Sequence, residues 1–264
     1  MNIMFMTRGF SPVLQFLVNN IREGNKLCLV DFSEDGILQP FAGDNISYEK
    51  YTTWDSLSLL AYTDLLISYK LNYIIPMWLI DKFRYGGINI HPSLLPKHPG
   101  LNPWFSTYFE YDLTSGVTIH KLAAQPDTGN IIIQQAFDIN PGDPLDVTIK
   151  SADAIAASLL KRTLSQRLYA QTGTPQSIPE EHGKRTNVED CKLFDVEKLW
   201  HLFRGFPQLI SQIFPSLPHS CFNVGEYKRT TSASGIATIV GISDNQYEIR
   251  CRDGVIALVD TSIA

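Results

Sequence analysis

The sequence predicts an α/β fold in which a Rossmann-like, mainly parallel sheet forms the core and a small helical and β-rich appendage follows it. Short apolar runs alternate with helical patterns through the first two thirds of the 264 residues, which is typical of a parallel sheet covered by helices on both faces. A stretch rich in turn-forming and charged residues, 171–186, then interrupts this alternation. We therefore expect a core domain over residues 1–180 and a smaller C-terminal domain over residues 181–264.

The first predicted elements form a strand–helix–strand unit. Residues 2–6 (NIMFM) and 26–32 (KLCLVDF) are apolar runs of strand length. The segment between them has the pattern of a helix that begins at Pro12, with Ser11 as its cap and Gly24 as its stop.

The same alternation continues through the core and into the tail. In the core, strands are predicted over 63–69, 86–91, 116–122 and 130–139, and helices over 76–83 and 144–168. In the tail, residues 194–206 have helical spacing and are followed by short strand-like pieces. The step Arg252-Asp253-Gly254 is typical of a hairpin turn between two of these pieces.

Composition and charge are those of an intracellular globular protein. At 44% hydrophobic and 19% charged residues, the chain is able to build a sizeable core. Its net charge of -5 argues against a large nucleic-acid surface, and no stretch approaches the roughly 18 consecutive apolar residues of a membrane-spanning helix. The four cysteines form no CxxC pair and no signal peptide is recognisable, so we expect reduced thiols and a cytoplasmic protein.

Two polar side chains stand out in the stretch GINIHPSLLPKHPG at 87–100. Asn89 and His91 alternate with isoleucines, so on a strand both point to the same side. In parallel sheets, ligands bind beyond the carboxyl ends of the strands. Arg8 and Lys70 fall at other predicted strand ends, so we expect a functional site along this edge.

A second stretch, GVTIHKLAAQPDTGNII at 116–132, carries a strand that ends in a loop. Asp127 in this loop is a candidate functional carboxylate, although an Asp before a Gly-containing turn often serves only as a cap. His120 alternates with an isoleucine, and we expect it to point into solvent or to make a satisfied contact.

Taken together, the two stretches resemble the folate-dependent formyltransferase family. The matching positions are Asn89-Ile90-His91, Ser93-Leu94-Leu95-Pro96, Gly100, Gly116-Val117-Thr118-Ile119-His120 and Asp127-Thr128-Gly129. The resemblance is strong over roughly residues 60–170 and fainter elsewhere.

The resemblance implies transfer of a formyl group from 10-formyltetrahydrofolate to an amine. Asn89 would donate an N–H group to the developing oxyanion, and His91 and Asp127 would serve proton transfer, with either of them as the base. No nucleophilic side chain and no metal are needed for this chemistry. The pterin would lie against two loops, through Leu71, Ile74, Ile75 and Pro76 in one and Ala123, Gln125, Asp127 and Gly129 in the other.

Family members act on different amines, and three subclasses fit the sequence poorly. Enzymes for glycinamide ribonucleotide carry a glycine-rich phosphate loop after the first strand, where this chain has Met6-Thr7-Arg8-Gly9-Phe10-Ser11-Pro12. Enzymes for methionyl-tRNA bind a polyanion, whereas residues 191–264 hold seven Lys or Arg against seven Asp or Glu. Folate hydrolases usually carry an N-terminal regulatory domain, and this sequence begins directly with its first predicted strand.

The remaining subclass formylates amino sugars attached to a nucleotide, and we expect a dTDP-linked amino-dideoxy sugar used for surface polysaccharide. Arg8 and Lys70 would meet the diphosphate, or else be solvated surface charges. Ser93, Trp104 and Tyr108 would contact the acceptor, although aromatic residues at helical spacing more often belong to a core. The expected partners are these small molecules and a second copy of the chain in a homodimer, without nucleic acid or membrane. A non-catalytic folate-binding or sugar-nucleotide-binding protein remains the alternative outside enzymology.

Overall fold

The computed structural model describes residues 1–57, 64–177, 187–215, 217, 221–230 and 236–262, and the chain divides into two compact units. Unit 1 comprises Met1–Pro103, Ser115–Phe137 and Lys150–Gly183, and unit 2 comprises Trp104–Thr114, Asp138–Ile149 and Lys184–Ala264. The boundary predicted at residue 180 lies outside the described residues. Unit 2 also includes two stretches that precede residue 180 in the chain, Trp104–Thr114 and Asp138–Ile149.

A seven-stranded sheet forms the framework of unit 1. Its strands are β1 (Ile3–Thr7), β2 (Leu27–Asp31), β3 (Ile46–Lys50), β4 (Leu65–Tyr69), β5 (Gly87–His91), β6 (Thr114–Lys121) and β7 (Ile131–Asp138), in the order β3-β2-β1-β4-β5-β6-β7. The first five strands pair in parallel, and β6 runs antiparallel to β5. The order reverses between β1 and β4, where a ligand crevice is expected in such sheets. The predicted fold class, a mainly parallel Rossmann-like sheet, is confirmed.

The strands of this sheet are joined along the chain by α1 (Pro12–Asn20), α2 (Met77–Ile80) and α3 (Pro103–Glu110), and α4 (Leu145–Ser165) follows β7. Ser11 caps α1 as predicted, because its side chain accepts a hydrogen bond from the backbone N–H group of Leu14 at 3.2 Å.

Two predicted helix ends are wrong. Helix α1 ends at Asn20, and Gly24 lies in the turn that follows, with a φ of 80° that favours glycine. The helix expected over 76–83 is a single turn, because Asp81 closes it by donating its N–H group to Met77 and Leu79. The chain then turns into β5 through Gly86, whose φ is also positive.

The C-terminal part of unit 2 contains a four-stranded antiparallel sheet and, among its described residues, two α-helices. The helices are α5 (Val196–Gly205) and α6 (Leu209–Ile213), and the strands are β8 (Phe222–Arg229), β9 (Thr238–Ser243), β10 (Gln246–Cys251) and β11 (Gly254–Asp260), in the order β8-β11-β10-β9. Cys251 pairs with Gly254, so the hairpin turn predicted at 252–254 is confirmed. Among the described residues, no helix is long and apolar enough to cross a membrane.

Candidate active site

A cluster of polar side chains lies on β5 and β6 in unit 1. Asn89 and His91 stand two residues apart on β5, and His120 lies on β6 directly opposite Asn89 in the antiparallel register. The loop after β6 starts beside the beginning of β5 and folds back, so that Asp127 reaches the same side chains. His91 and His120 are buried, and the Asp127 side chain is only 10% exposed. The structure therefore brings the three predicted catalytic residues together.

The amide of Asn89 is held in one orientation by its neighbours. Its Oδ1 accepts a hydrogen bond from the Ser68 hydroxyl group at 2.8 Å, and its Nδ2 lies 3.1 Å from Nε2 of His120 and 3.5 Å from Oδ1 of Asp127. The Nδ1 atom of His120 lies 2.8 Å from the backbone oxygen of Lys121, which assigns the proton to Nδ1. In this tautomer Nε2 accepts from the Asn89 amide, so the N–H face of that amide is turned towards the cluster.

His91 is a neutral imidazole with a free nitrogen facing Asp127. Its Nε2 lies 3.0 Å from the backbone oxygen of His98, and because that oxygen only accepts, Nε2 carries the proton. Nδ1 therefore holds a lone pair, 3.5 Å from Oδ1 of Asp127. Burial lowers the pKa of His91 below 6.5, although the Asp127 carboxylate acts in the opposite direction. At neutral pH this nitrogen is ready to accept a proton.

Asp127 is an ionised carboxylate that organises the cluster. Burial alone would raise the pKa of Asp127, but the neighbouring His120 and His91 imidazoles and a hydrogen bond from the Gly100 N–H group outweigh it and lower that pKa to about 2. The N–H group of Gly100 donates to Oδ2 at 2.7 Å. Asp127 adopts a left-handed φ of 57°, and the Gln176 amide holds its backbone by donating to its carbonyl oxygen at 2.9 Å. Its role thus goes beyond capping a turn.

The glycine after Asp127 is required by a close backbone approach. A Cβ atom on Gly129 would lie 1.9 Å from the carbonyl oxygen of Lys121, which is backbone and has little freedom to move. This packing lets the loop fold back onto β6, and it explains why a glycine follows two positions after Asp127.

His120 makes the satisfied contact that was one of its two expected environments. It does not point into solvent: it is 1% exposed and contacts Asn89 and the region of Asp127. The alternation of His120 with Ile119 assigned His120 to one face of β6, but only the register with β5 places it opposite Asn89.

Three residues predicted to contact the acceptor are already engaged within the protein. The ammonium group of Lys70 pairs with Asp153 at 2.8 Å. Ser93 is fully buried, and its hydroxyl group donates to the backbone oxygen of Lys97 at 2.7 Å, which closes the turn after β5. Tyr108 is fully buried in unit 2, where its ring stacks on His201 at 4.4 Å between centroids. Ser93 and Tyr108 therefore pack inside the protein and do not line an open pocket, which corrects the prediction for these two. Lys70 is exposed beside its ion pair, and its contact with a diphosphate stays a prediction.

The remaining predicted ligand-contacting residues differ in exposure. Arg8 follows β1 and is exposed, and Trp104 is half-buried in unit 2. In the loop after β4, Ile74 is 68% exposed, Leu71 and Pro76 are half-buried, and Ile75 packs in the core. In the loop after β6, Gln125 is exposed, Ala123 is half-buried and Gly129 is buried.

The cluster combines an amide donor, a neutral base and a carboxylate. An N–H group of Asn89 can stabilise negative charge on an oxygen, and His91 can take up a proton while Asp127 stabilises the imidazolium that results. Within the described ranges, no group of His, Cys, Asp and Glu has the arrangement of a metal site. Such an arrangement suits attack by an external nucleophile on a carbonyl carbon.

Sequence comparison relates the chain to formyltransferases. Residues 54–164 match the family described as formyl transferase. A methionyl-tRNA formyltransferase from Borrelia garinii is 35% identical over 117 residues, which cover 44% of this chain and 37% of that protein. The chain thus spans about two fifths of the length of the curated relatives it matches.

Structural comparison shows the same fold over nearly the whole chain. The sugar 3N-formyl transferase WlaRD, solved in the presence of dTDP and 5-N-formyl-THF, aligns with a TM-score of 0.67 and 21% identity, covering 98% of this chain and 97% of that one. An N-formyltransferase from Helicobacter canadensis, in complex with folinic acid and dTDP-3-aminofucose, aligns with a TM-score of 0.66 and 18% identity, covering 98% of both chains. At these identities the likeness establishes the fold.

Proposed function

Starting from the formyl transferase domain that residues 54–164 match, we propose that the protein transfers a formyl group from 10-formyltetrahydrofolate to the amine of a dTDP-linked amino-dideoxy sugar, for use in surface polysaccharide. The observation that carries the proposal is the convergence of Asn89, a neutral His91 and an ionised Asp127 in one buried cluster. The first two supply the groups that acyl transfer to an amine requires, and the third supports them.

Each of the three residues has one task in the reaction. When the amine attacks the formyl carbon, Asn89 donates its Nδ2–H group to the oxygen on which negative charge develops. Removing one such donor typically costs about a hundredfold or more in rate. The proton leaves the attacking nitrogen for Nδ1 of His91, and the imidazolium is stabilised by Asp127 at 3.5 Å. As the bond between the formyl carbon and the folate nitrogen breaks, His91 returns the proton to that nitrogen.

The choice of formyl donor is supported by similar proteins and by the loop after β4. Both structural relatives were solved with a formylated tetrahydrofolate. Ile74 presents an apolar side chain to solvent, as expected of a surface that a flat heterocycle would cover. We propose that this loop and Ala123–Gly129 hold the pterin.

For the acceptor, the structural relatives and the sequence relatives support different amines. The two structural relatives, solved with dTDP or a dTDP-amino sugar, align over 98% of the chain, whereas the first sequence relatives act on methionyl-tRNA and align over about half of it or less. Residues 191–264 carry seven basic and seven acidic residues, which is a weak counterpart for a polyanion. The exposed Arg8, after β1, is the cation we assign to the sugar-nucleotide diphosphate.

The proposal is tested by offering several amines in parallel. With 10-formyltetrahydrofolate present, release of tetrahydrofolate is followed with dTDP-4-amino-4,6-dideoxyglucose, its 3-amino isomer, glycinamide ribonucleotide and methionyl-tRNA. We expect saturable turnover with one dTDP-amino sugar only. Turnover with methionyl-tRNA or glycinamide ribonucleotide would favour a formyltransferase that acts on that amine. Folate binding without turnover on any amine would favour a non-catalytic binding protein.

A further inference from the structure

The end of β4 contains a backbone conformation that a lysine does not adopt without support. Lys70 has a left-handed φ of 53°. This region is disfavoured for any residue with a Cβ atom, and it persists where the surrounding structure holds it in place. Lys70 is also the last residue before the loop Leu71–Pro76, which we assign to the pterin.

Asp153 supplies that support. Both of its carboxylate oxygens lie within 2.9 Å of the Lys70 ammonium group, and the same carboxylate accepts a hydrogen bond from the Tyr69 hydroxyl group. Asp153 is 8% exposed and Tyr69 is fully buried. Burial and the neighbouring Asp153 charge raise the pKa of Tyr69, so its hydroxyl group stays protonated and remains a donor.

The left-handed turn explains how one carboxylate meets both side chains. Consecutive residues of a regular strand point to opposite faces of the sheet. Tyr69 and Lys70 are consecutive, yet both reach Asp153 on α4, because the positive φ at Lys70 swings its side chain to the Tyr69 side. Loss of the carboxylate would remove the reason for this turn.

The same strand end is connected to the catalytic cluster. One residue before Tyr69, the Ser68 hydroxyl group donates to Oδ1 of Asn89 at 2.8 Å and fixes the orientation of that amide. The path of the chain at Tyr69 and Lys70 therefore affects the direction of the loop that follows and the support of Asn89.

We propose that Asp153 is a positioning residue for formyl transfer, which holds Lys70 in its left-handed turn and so directs Leu71–Pro76 towards the formyl donor. This inference rests on the proposed function, which supplies the ligand of the loop. It also gives Lys70 a role within the protein beside the predicted contact with a diphosphate.

The test is a double-mutant cycle that combines Asp153→Asn with Lys70→Gly. Asp153→Asn keeps the shape of the side chain but removes its charge. We expect the KM for 10-formyltetrahydrofolate and the Kd for 5-formyltetrahydrofolate to rise by about tenfold, with a smaller change in kcat, since small misplacements far from the chemistry cost up to about a hundredfold. In Lys70→Gly/Asp153→Asn, glycine adopts the left-handed turn freely and no charge is left unpaired. We expect this double variant to bind folate within about threefold of the wild type.

A matched control and a second readout make the cycle decisive. Asp81→Asn removes an exposed carboxylate near the same loop and is expected to change nothing. An unchanged folate Kd in Asp153→Asn, or a double variant as impaired as Asp153→Asn, would overturn the inference.

Thermal unfolding separates failure of this inference from failure of the proposed function. We expect the double variant to lose less stability than the sum of the two single variants, because Lys70→Gly alone leaves the buried Asp153 carboxylate without its counter-charge. If the wild type binds no folate, the proposed function fails, and with it the assignment of a folate loop to Asp153. Additive stability losses would refute the support of Lys70 by Asp153 whatever the ligand.

Discussion

Asp127→Asn tests the electrostatic part of the mechanism most sharply. In the structure, Oδ1 of Asp127 lies 3.5 Å from Nδ1 of His91, so two unit charges at these positions attract each other by about 5 kcal/mol at an effective dielectric constant of about 20. This attraction exists only after His91 has taken the proton. An amide at position 127 keeps a part of it through its dipole, so we expect kcat to fall by about a thousandfold, or roughly 4 kcal/mol.

The assay measures kcat by tetrahydrofolate release at saturating donor and amine, and folate affinity by calorimetry with 5-formyltetrahydrofolate. An amide oxygen still accepts from the Gly100 N–H group, so we expect folate affinity to stay within about tenfold of the wild type. Asp44→Asn, an exposed carboxylate in unit 1, is the matched control and should retain full activity. A kcat for Asp127→Asn within about tenfold of the wild type, in a folded protein, would refute the assigned role.

Two pH dependences and one pair of substitutions test the burial of His91 and His201 and the packing of Gly129. Because burial lowers the pKa of His91 below 6.5, kcat should be constant at pH 7 and above and should fall on acidification as His91 becomes protonated; a profile that falls above pH 7 instead would contradict a neutral base. Burial lowers the pKa of His201 from 6.5 to about 4, so the contribution of neutral His201 to folding is complete above pH 6.5 and falls by about 3 kcal/mol as the pH approaches 4. Denaturant midpoints should show this loss in the wild type, and an equal loss in His201→Phe would contradict it. Gly129→Ala should abolish activity and lower Tm, because the new Cβ atom would overlap the Lys121 carbonyl group. Gly24→Ala, at a positive φ but in open space, should lower the free energy of unfolding by only about 1 kcal/mol, and similar Tm values for the two variants would contradict the close approach at Gly129.

Much of the fold was predictable because burial in unit 1 follows continuous apolar runs. Strands β1, β2 and β4 are buried at every position, and each coincides with such a run in the sequence. Strand β3 was missed because its sequence, ISYEK, is only partly buried at the edge of the sheet and shows no apolar run. Where one face of a strand meets solvent at an edge, the apolar pattern that reveals strands is weak.

Site residues within a recognisable motif could be predicted from the sequence. Residues whose position depends on strand register or tertiary packing could not. Asn89, His91 and Asp127 came from two stretches with a recognisable pattern, and the structure brings them together. The position of His120 depends on its pairing with β5, which no local pattern states. The partner of Lys70 lies 83 residues along the chain on α4, so the ion pair with Asp153 follows from the tertiary fold alone.

The central claim is that the cluster of Asn89, His91 and Asp127 catalyses transfer of a formyl group to an amine. The fate of a labelled formyl group tests this claim most directly. The wild type and Asn89→Ala are incubated with ¹³C-formyl-labelled 10-formyltetrahydrofolate and the dTDP-amino sugars, and the products are identified by mass spectrometry and NMR. We predict one labelled formamide per tetrahydrofolate released by the wild type, and a rate for Asn89→Ala that is lower by about a hundredfold or more. Label recovered as free formate, or equal formamide production by the variant, would contradict the account.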